Sequence, residues 1–191
     1  MTALAAQADP PRPRYIDAVW KPQSVMFDFR SEGRLYPCDV LEHKIKIILH
    51  RLGAHDRLQL RSQGCRDLGG RARFEALLES PIEATTDNVR ELTRYDSEDE
   101  LIARIRGEQL PSAVEMQRFA ATWESISFRS GSKLDIDAGD CALVQQLRKQ
   151  IMTKMSIQVT RDIAGVDCAQ ELSGISGPRL TVVALVPVDE R

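Results

Sequence analysis

The chain has 191 residues, 42% of them hydrophobic and 28% charged, with 26 basic and 28 acidic side chains for a net charge of −2. That balance excludes a disordered chain by composition, and no apolar run approaches the ~20 residues a bilayer-spanning helix needs. With 5% aromatic residues there is neither a global pull toward nucleic acid nor much for bases to stack on, so no nucleic-acid partner and no membrane insertion are expected.

Residues 1–22 form an N-terminal arm. MTALAAQADPPRPR carries Ala6-Gln7-Ala8, the pattern of a signal-peptidase site, followed by a polar, Pro-rich stretch. The expectation is a signal-peptide remnant; the other reading is an Ala-rich tail on a cytoplasmic protein.

Residues 23–85 read as strand, helix, strand, strand. In VMFDFRS, Val25, Phe27 and Phe29 alternate to one side, as core residues do, and Arg30 points to the other. In CDVLEHKIKIILHRLG, Leu41, Ile45, Ile48, Leu49 and Leu52 recur at the three-and-four spacing of one helical face, and Gly53 suits the stop. RLQLRS (57–62) and RARFEALLESP (71–81) then alternate as strands.

A helical connector occupies 86–118. Ser97 and Glu100 read as a capping box, Leu101, Ile102 and Ile105 as an apolar stripe, and Gly107 as the stop. The expectation is one short helix over 97–106, flanked by polar loops at EATTDN and GEQLPS and packed across the junction between its neighbours.

Residues 119–191 repeat the first pattern. FRSEGRL at 29–35 returns as FRSGSKL at 128–134, with Lys133 in place of Arg34. TWESISF places Ile126 and Phe128 on one side. DCALVQQLRKQIMTKM places Val144, Ile151, Met152 and Met155 on a helical face, where Arg148 departs and Leu147 compensates. SIQVTR (156–161) and RLTVVALVP (179–187) supply the strands. An internal repeat is the economical explanation. The predicted fold is α+β: two βαββ repeats about a pseudo-twofold axis, linked by a short helix, each unit covering an open sheet edge of the other.

The four cysteines follow the same logic. Cys38 and Cys65 are 27 positions apart, as are Cys141 and Cys168, and Cys38 and Cys141 each open a predicted helix. Of three possible connectivities, only Cys38–Cys65 with Cys141–Cys168 respects the repeat without crossing it. Each such bridge contributes roughly 3–4 kcal/mol in the chain-entropy model and favours an exported, periplasmic or secreted protein. The competing reading is a cytoplasmic thiol protein in which the helix dipole activates Cys38 or Cys141.

Little else carries chemistry. Asp39 and His43 stand at i,i+4 and are candidates for a local acid–base pair; His50 lies seven residues beyond His43, about 10 Å along the helix and too far to share one zinc. These three are the catalytic candidates. YDSEDE (95–100) lacks the spacing of a calcium loop and is explained as helix N-terminal charge. LSGISGPR (172–179) precedes a strand, whereas a phosphate cradle precedes a helix. No Walker A, zinc-protease or C-x-x-C motif occurs, and neither a metal nor a cofactor is expected. Arg30, Arg34, Arg129 and Lys133 recur at equivalent positions, as a basic patch for an anionic partner would.

FRSEGRLYPCDVLEHK, GDCALVQQLRKQ and the closing PRLTVVALVP resemble a group of small exported proteobacterial proteins of unknown function. The resemblance implies export and paired disulfides, and no activity. The functional expectation is a non-enzymatic, disulfide-stabilised interaction module, with an envelope protein as the expected partner. The alternative is a small-molecule-binding protein or enzyme with its site between the two repeats.

Overall fold

Alternation of apolar and polar side chains builds one six-stranded antiparallel sheet, carried by a computed structural model that describes residues 15–66, 70–129, 133–162, 178 and 180–188. The elements are β1 (Ile16–Arg30), α1 (Cys38–Arg51), β2 (Gln59–Cys65), β3 (Arg71–Glu83), α2 (Thr86–Leu92), α3 (Ser97–Arg106), β4 (Phe119–Phe128), α4 (Cys141–Gln150), β5 (Ile157–Asp162) and β6 (Leu180–Pro187). A 3-10 turn, Ala138–Asp140, leads into α4. The strand order is β2-β3-β1-β4-β6-β5.

β1 and β3 pair from Ala18↔Glu83 to Arg30↔Arg71, whereas β1 and β4 meet only at Ile16↔Ala121, Asp17↔Ala120 and Ala18↔Phe119. The two halves of the sheet therefore join at the N-terminal ends of their central strands and diverge beyond them. Divergence leaves the β4-facing edge of β1 without a strand, and unpaired backbone groups are costly unless a partner is supplied. Two glutamines of α4 supply it. Gln146 Oε1 accepts from the Arg30 N–H and its Nε2 donates to the Arg30 carbonyl, both at 2.7 Å. Gln150 does the same for Asp28, at 2.8 and 2.9 Å. Four helical residues rise about 6 Å and two strand residues about 6.8 Å, so an i,i+4 pair matches alternate strand positions.

One apolar cluster holds both halves together. Phe27 and Phe29 of β1, Phe74 of β3 and Phe128 of β4 lie beneath Leu41, Ile45, Ile48 and Leu49 of α1 and Leu143, Val144 and Leu147 of α4. The predicted inward residues of both helices are buried, and Leu147 occupies the core beside the half-buried Arg148. A smaller cluster of Ala18, Ala121 and Leu185 lies apart, flanked by Ile16, Phe119 and Trp123. Trp20 stacks on Phe119 at 4.4 Å and meets the edge of His55 at 4.6 Å.

α1 ends in a Schellman motif: the Gly53 N–H donates to the His50 carbonyl and the Ala54 N–H to that of Leu49, both at 3.0 Å. Gly53 has φ +93°, and a Cβ there would stand 2.6 Å from the Leu185 carbonyl oxygen. No larger residue fits this close approach of helix end and sheet.

Four sequence expectations need correction. β1 begins at Ile16, inside the predicted arm, because its residues from Ala18 on continue the pairing with β3 and Ile16 to Ala18 pair with β4. The connector holds two helices, since Thr85 caps α2 by accepting from the Asn88 N–H within the stretch read as a polar loop. The capping box of α3 is formed by Asp96 and Asp99, one residue before the predicted pair. Nor is the α3 stripe packed across the junction: Leu101, Ile102 and Ile105 are 54%, 38% and 76% exposed, and the residue that α3 buries is Ala103.

Candidate functional site

The loops that follow β1 and β4 meet and build a polar cluster at the edge of the core. Residues 31–37 turn with Gly33 at φ +119° and the Ser31 hydroxyl donating to the Arg34 carbonyl, which brings Arg34 and Tyr36 toward the start of α4. The opposing loop places Asp135 in the left-handed region at φ +51°, a conformation aspartate tolerates. Asp140 Oδ2 accepts from the Asp137 N–H at 2.9 Å, fixing the turn that opens α4.

Asp140 is the centre and is fully buried. Its Oδ1 accepts from the Tyr36 hydroxyl and from Arg34 Nη1, the latter at 3.3 Å, while its Oδ2 also accepts from Lys44 Nζ at 3.0 Å. Lys44, 4% exposed, donates as well to the Asp135 carbonyl and lies 3.3 Å from Asp135 Oδ2 and 3.6 Å from Asp137 Oδ2. Arg34 pairs with Asp137 at 3.0 Å and lies over the Tyr36 ring, 5.1 Å from its centroid. A Cβ at Gly139 would meet Arg34 Cδ at 2.8 Å. Every cation and the phenol come from residues 34–44, and every carboxylate from 135–140.

The titration of this set follows from burial and charge. Burial, then the hydrogen bond to the Asp140 carboxylate, pushes the Tyr36 phenol well above its ordinary value. Burial alone would depress Lys44, but Asp140 and Asp135 outweigh it and hold the ammonium above its usual range. Arg34 is likewise raised against its own desolvation, chiefly by the hydrogen bond to Asp137. The Arg34 hydrogen bond, with the Lys44 charge behind it, holds Asp137 below the usual carboxylate range. A general base or amine nucleophile needs a value near the working pH; Tyr36 and Lys44 are moved away from it. The cluster is a locked ionic latch that ties the loop after β1 and the buried side of α1 to the loop before α4. Beside it lies a cavity of about 320 Å³ lined by Phe29, Glu32, Arg34, Tyr36, Cys141 and Ala142, among others.

The catalytic candidates do not converge on this place. Asp39 and His43 are exposed on α1 and form no ion pair with each other. His50, also exposed, sets Nδ1 3.3 Å from the Ala54 carbonyl at the helix end. Of the basic residues, Arg30, Arg129 and Lys133 are exposed, whereas Arg34 turns into the latch. Cys38 and Cys65 are joined as a disulfide with Cα atoms 6.0 Å apart, so Cys38 is not a thiol. Cys141 is also disulfide-bonded; Cys168, its expected partner, lies outside the described residues, as does the Ala6-Gln7-Ala8 segment. Among the described residues no three potential metal ligands converge, and no helix is long and apolar enough to cross a membrane.

Sequence reading missed Tyr36, Lys44, Asp135, Asp137 and Asp140. One signal was available: Lys44 interrupts the stripe Leu41, Ile45, Ile48, at a position that helical spacing turns toward the core. The exposed stripe of α3 is the second candidate. Leu101 and Ile105 are one turn apart and Ile102 lies beside them, on the side of the helix away from Ala103. Comparison with protein-family models, with curated proteins and with solved structures finds no match to this chain.

Proposed function

We propose that the chain is an exported, periplasmic or secreted interaction module, stabilised by disulfides, that works by protein contact and not by catalysis. The observation that carries this reading is the outward apolar stripe of α3. A helix that keeps Leu101, Ile102 and Ile105 in water while burying an alanine forgoes about 25 cal/mol per Å² of apolar surface left uncovered, and a partner recovers it. The latch supports the same conclusion, since Tyr36 and Lys44 are both raised away from any value useful in proton transfer.

The scaffold is two βαββ units about a pseudo-twofold axis. In its favour, strand order β2-β3-β1 is mirrored by β5-β6-β4, and β2 and β5 each carry a bulge, between Ser62 and Gly64 and between Val159 and Arg161. Export is favoured by the Cys38–Cys65 bridge and by the resemblance to small exported proteobacterial proteins. The exposed Arg30, Arg129 and Lys133 remain available to an anionic partner without Arg34.

The test is photocrosslinking in the native host. A photoreactive residue at Ile102 or Ile105 is expected to give a discrete adduct in the envelope fraction, and the same residue at Asp87 none. Equal labelling from all three positions, or no adduct from 102 and 105, removes this reading.

A further inference from the structure

α3 carries its charge asymmetrically. Glu98, Asp99 and Glu100 fill the first turn, Arg104 and Arg106 the last, and the apolar stripe lies between them. None of Glu98, Glu100, Arg104 or Arg106 forms an ion pair among the described residues, and all four are exposed. Such a helix is complementary to itself in one orientation. Laid antiparallel on an identical helix, its acidic turn meets the partner's basic turn at both ends, and Leu101, Ile102 and Ile105 close on their own counterparts at the centre. Laid parallel, acid meets acid and base meets base. An antiparallel pair also has the twofold symmetry of an isologous interface, in which one patch serves both subunits.

We infer that the partner of α3 is a second copy of this chain, docked helix to helix and antiparallel about a twofold axis. The inference rests on the reading of α3 as the contact face. Ten residues of helix span only about 15 Å, so the contact falls below the 1,200 Å² of a standard stable interface. The dimer is accordingly weak, with a dissociation constant in roughly the micromolar range.

Sedimentation velocity on the full, oxidised chain from about 5 to 500 μM tests this, a span that brackets such a constant. The wild type is expected to shift from monomer toward dimer across the series, and Ile105→Glu to weaken association at least tenfold, about what one lost apolar anchor costs. Two charge variants make the test specific. Arg104→Glu with Arg106→Glu leaves an all-acidic helix, and Glu98→Arg with Glu100→Arg leaves a first turn that is net basic around the retained Asp99, over a basic last turn. Each variant alone is expected to stay monomeric, and an equimolar mixture to dimerise at least as well as the wild type. All four substitutions fall on exposed side chains and leave the Asp96 and Asp99 carboxylates in place, with Glu98 giving the cap only its backbone N–H; a cooperative melt, lowered by no more than the few degrees that reversed charges at helix ends cost, confirms the fold.

A wild type that stays monomeric throughout, or a mixture no more dimeric than its components, overturns self-docking. In either event, a crosslink from position 102 to a different envelope protein leaves α3 as the contact face, whereas no crosslink at all removes both proposals.

Discussion

The helices α1 and α4 do the same mechanical work with different chemistry. Counted from the cysteine that opens each, Leu41 and Val144, Ile48 and Ile151 hold matching positions, and all four are buried. At the next position compared, Lys44 stands against Leu147: one ends in the latch, the other in the core. His43 and Ile47 stand where α4 has Gln146 and Gln150. α4 thus closes the edge of β1 with two amides, while α1 reaches β4 through an ion pair between Arg51 and Glu124. The apolar spacing is shared because a helix laid on a sheet has few ways to bury a stripe. The polar groups differ because each answers a different neighbour. With all the cations of the latch in one half and all the carboxylates in the other, it forms only between unlike halves and fixes which half faces which.

That comparison is broken most severely at the latch. Lys44→Met strips the buried Asp140 of its ammonium partner and is expected to cost about 3–5 kcal/mol, the usual penalty for leaving a buried charge uncompensated. Asp140→Asn should cost a comparable amount, and the double variant clearly less than the two together. Urea denaturation of the four proteins measures the coupling; strict additivity would mean that the two residues do not act as a unit.

A smaller effect is expected at the strand edge. Gln146→Ala and Gln150→Ala each remove a pair of exposed hydrogen bonds and should lower stability by about 1 kcal/mol. Hydrogen exchange gives the sharper readout. The Arg30 amide should lose protection in the first variant and the Asp28 amide in the second, and unchanged exchange at both would show that the edge does not need the amides.

The smallest effect is pH-dependent and belongs to Asp137. Its value in the folded chain lies below the usual one because of Arg34 and then Lys44. A depressed carboxylate contributes stability above its ordinary value, near pH 4, and loses it as pH falls through the lower folded value. Asp137→Asn should therefore flatten the acid limb of the stability curve below about pH 4 and leave its shape near pH 7 unaltered. Lys44 has the opposite sign: its value is raised, so its contribution is present below the ordinary lysine value and lost only in strong alkali. Unfolding curves from pH 2 to 8 follow the acid limb; an identical limb in the variant would remove Asp137 from the account.

Much of the scaffold was legible in the residues. Alternating Val25, Phe27 and Phe29, and the stripe of Leu41, Ile45, Ile48 and Leu49, are local patterns whose meaning does not depend on the rest of the chain. The Cys38–Cys65 bridge followed from position in the pattern, and the stop at Gly53 from its lack of a side chain. α2 was missed because its seven residues present one buried side chain, Val89, and so carry no periodicity. Asp96 displaced Ser97 as the cap because either side chain serves that role, and only the path of the backbone selects between them.

The site was a different matter. Lys44 and Asp140 are 96 positions apart, and nothing local says that a lysine in an apolar stripe will meet an aspartate preceding a distant helix. The outward face of α3 was equally hidden: an amphipathic stripe reads the same whether it covers a core or faces water. Sequence by itself determined the alternation of the strands, the inward faces of α1 and α4 and the first disulfide, because these depend on spacing within one turn or one strand or on position in the pattern. Tertiary structure alone decided which charges pair, which edge is capped by amides and which apolar face is left in solvent, because each depends on what another part of the chain brings to the same few ångströms.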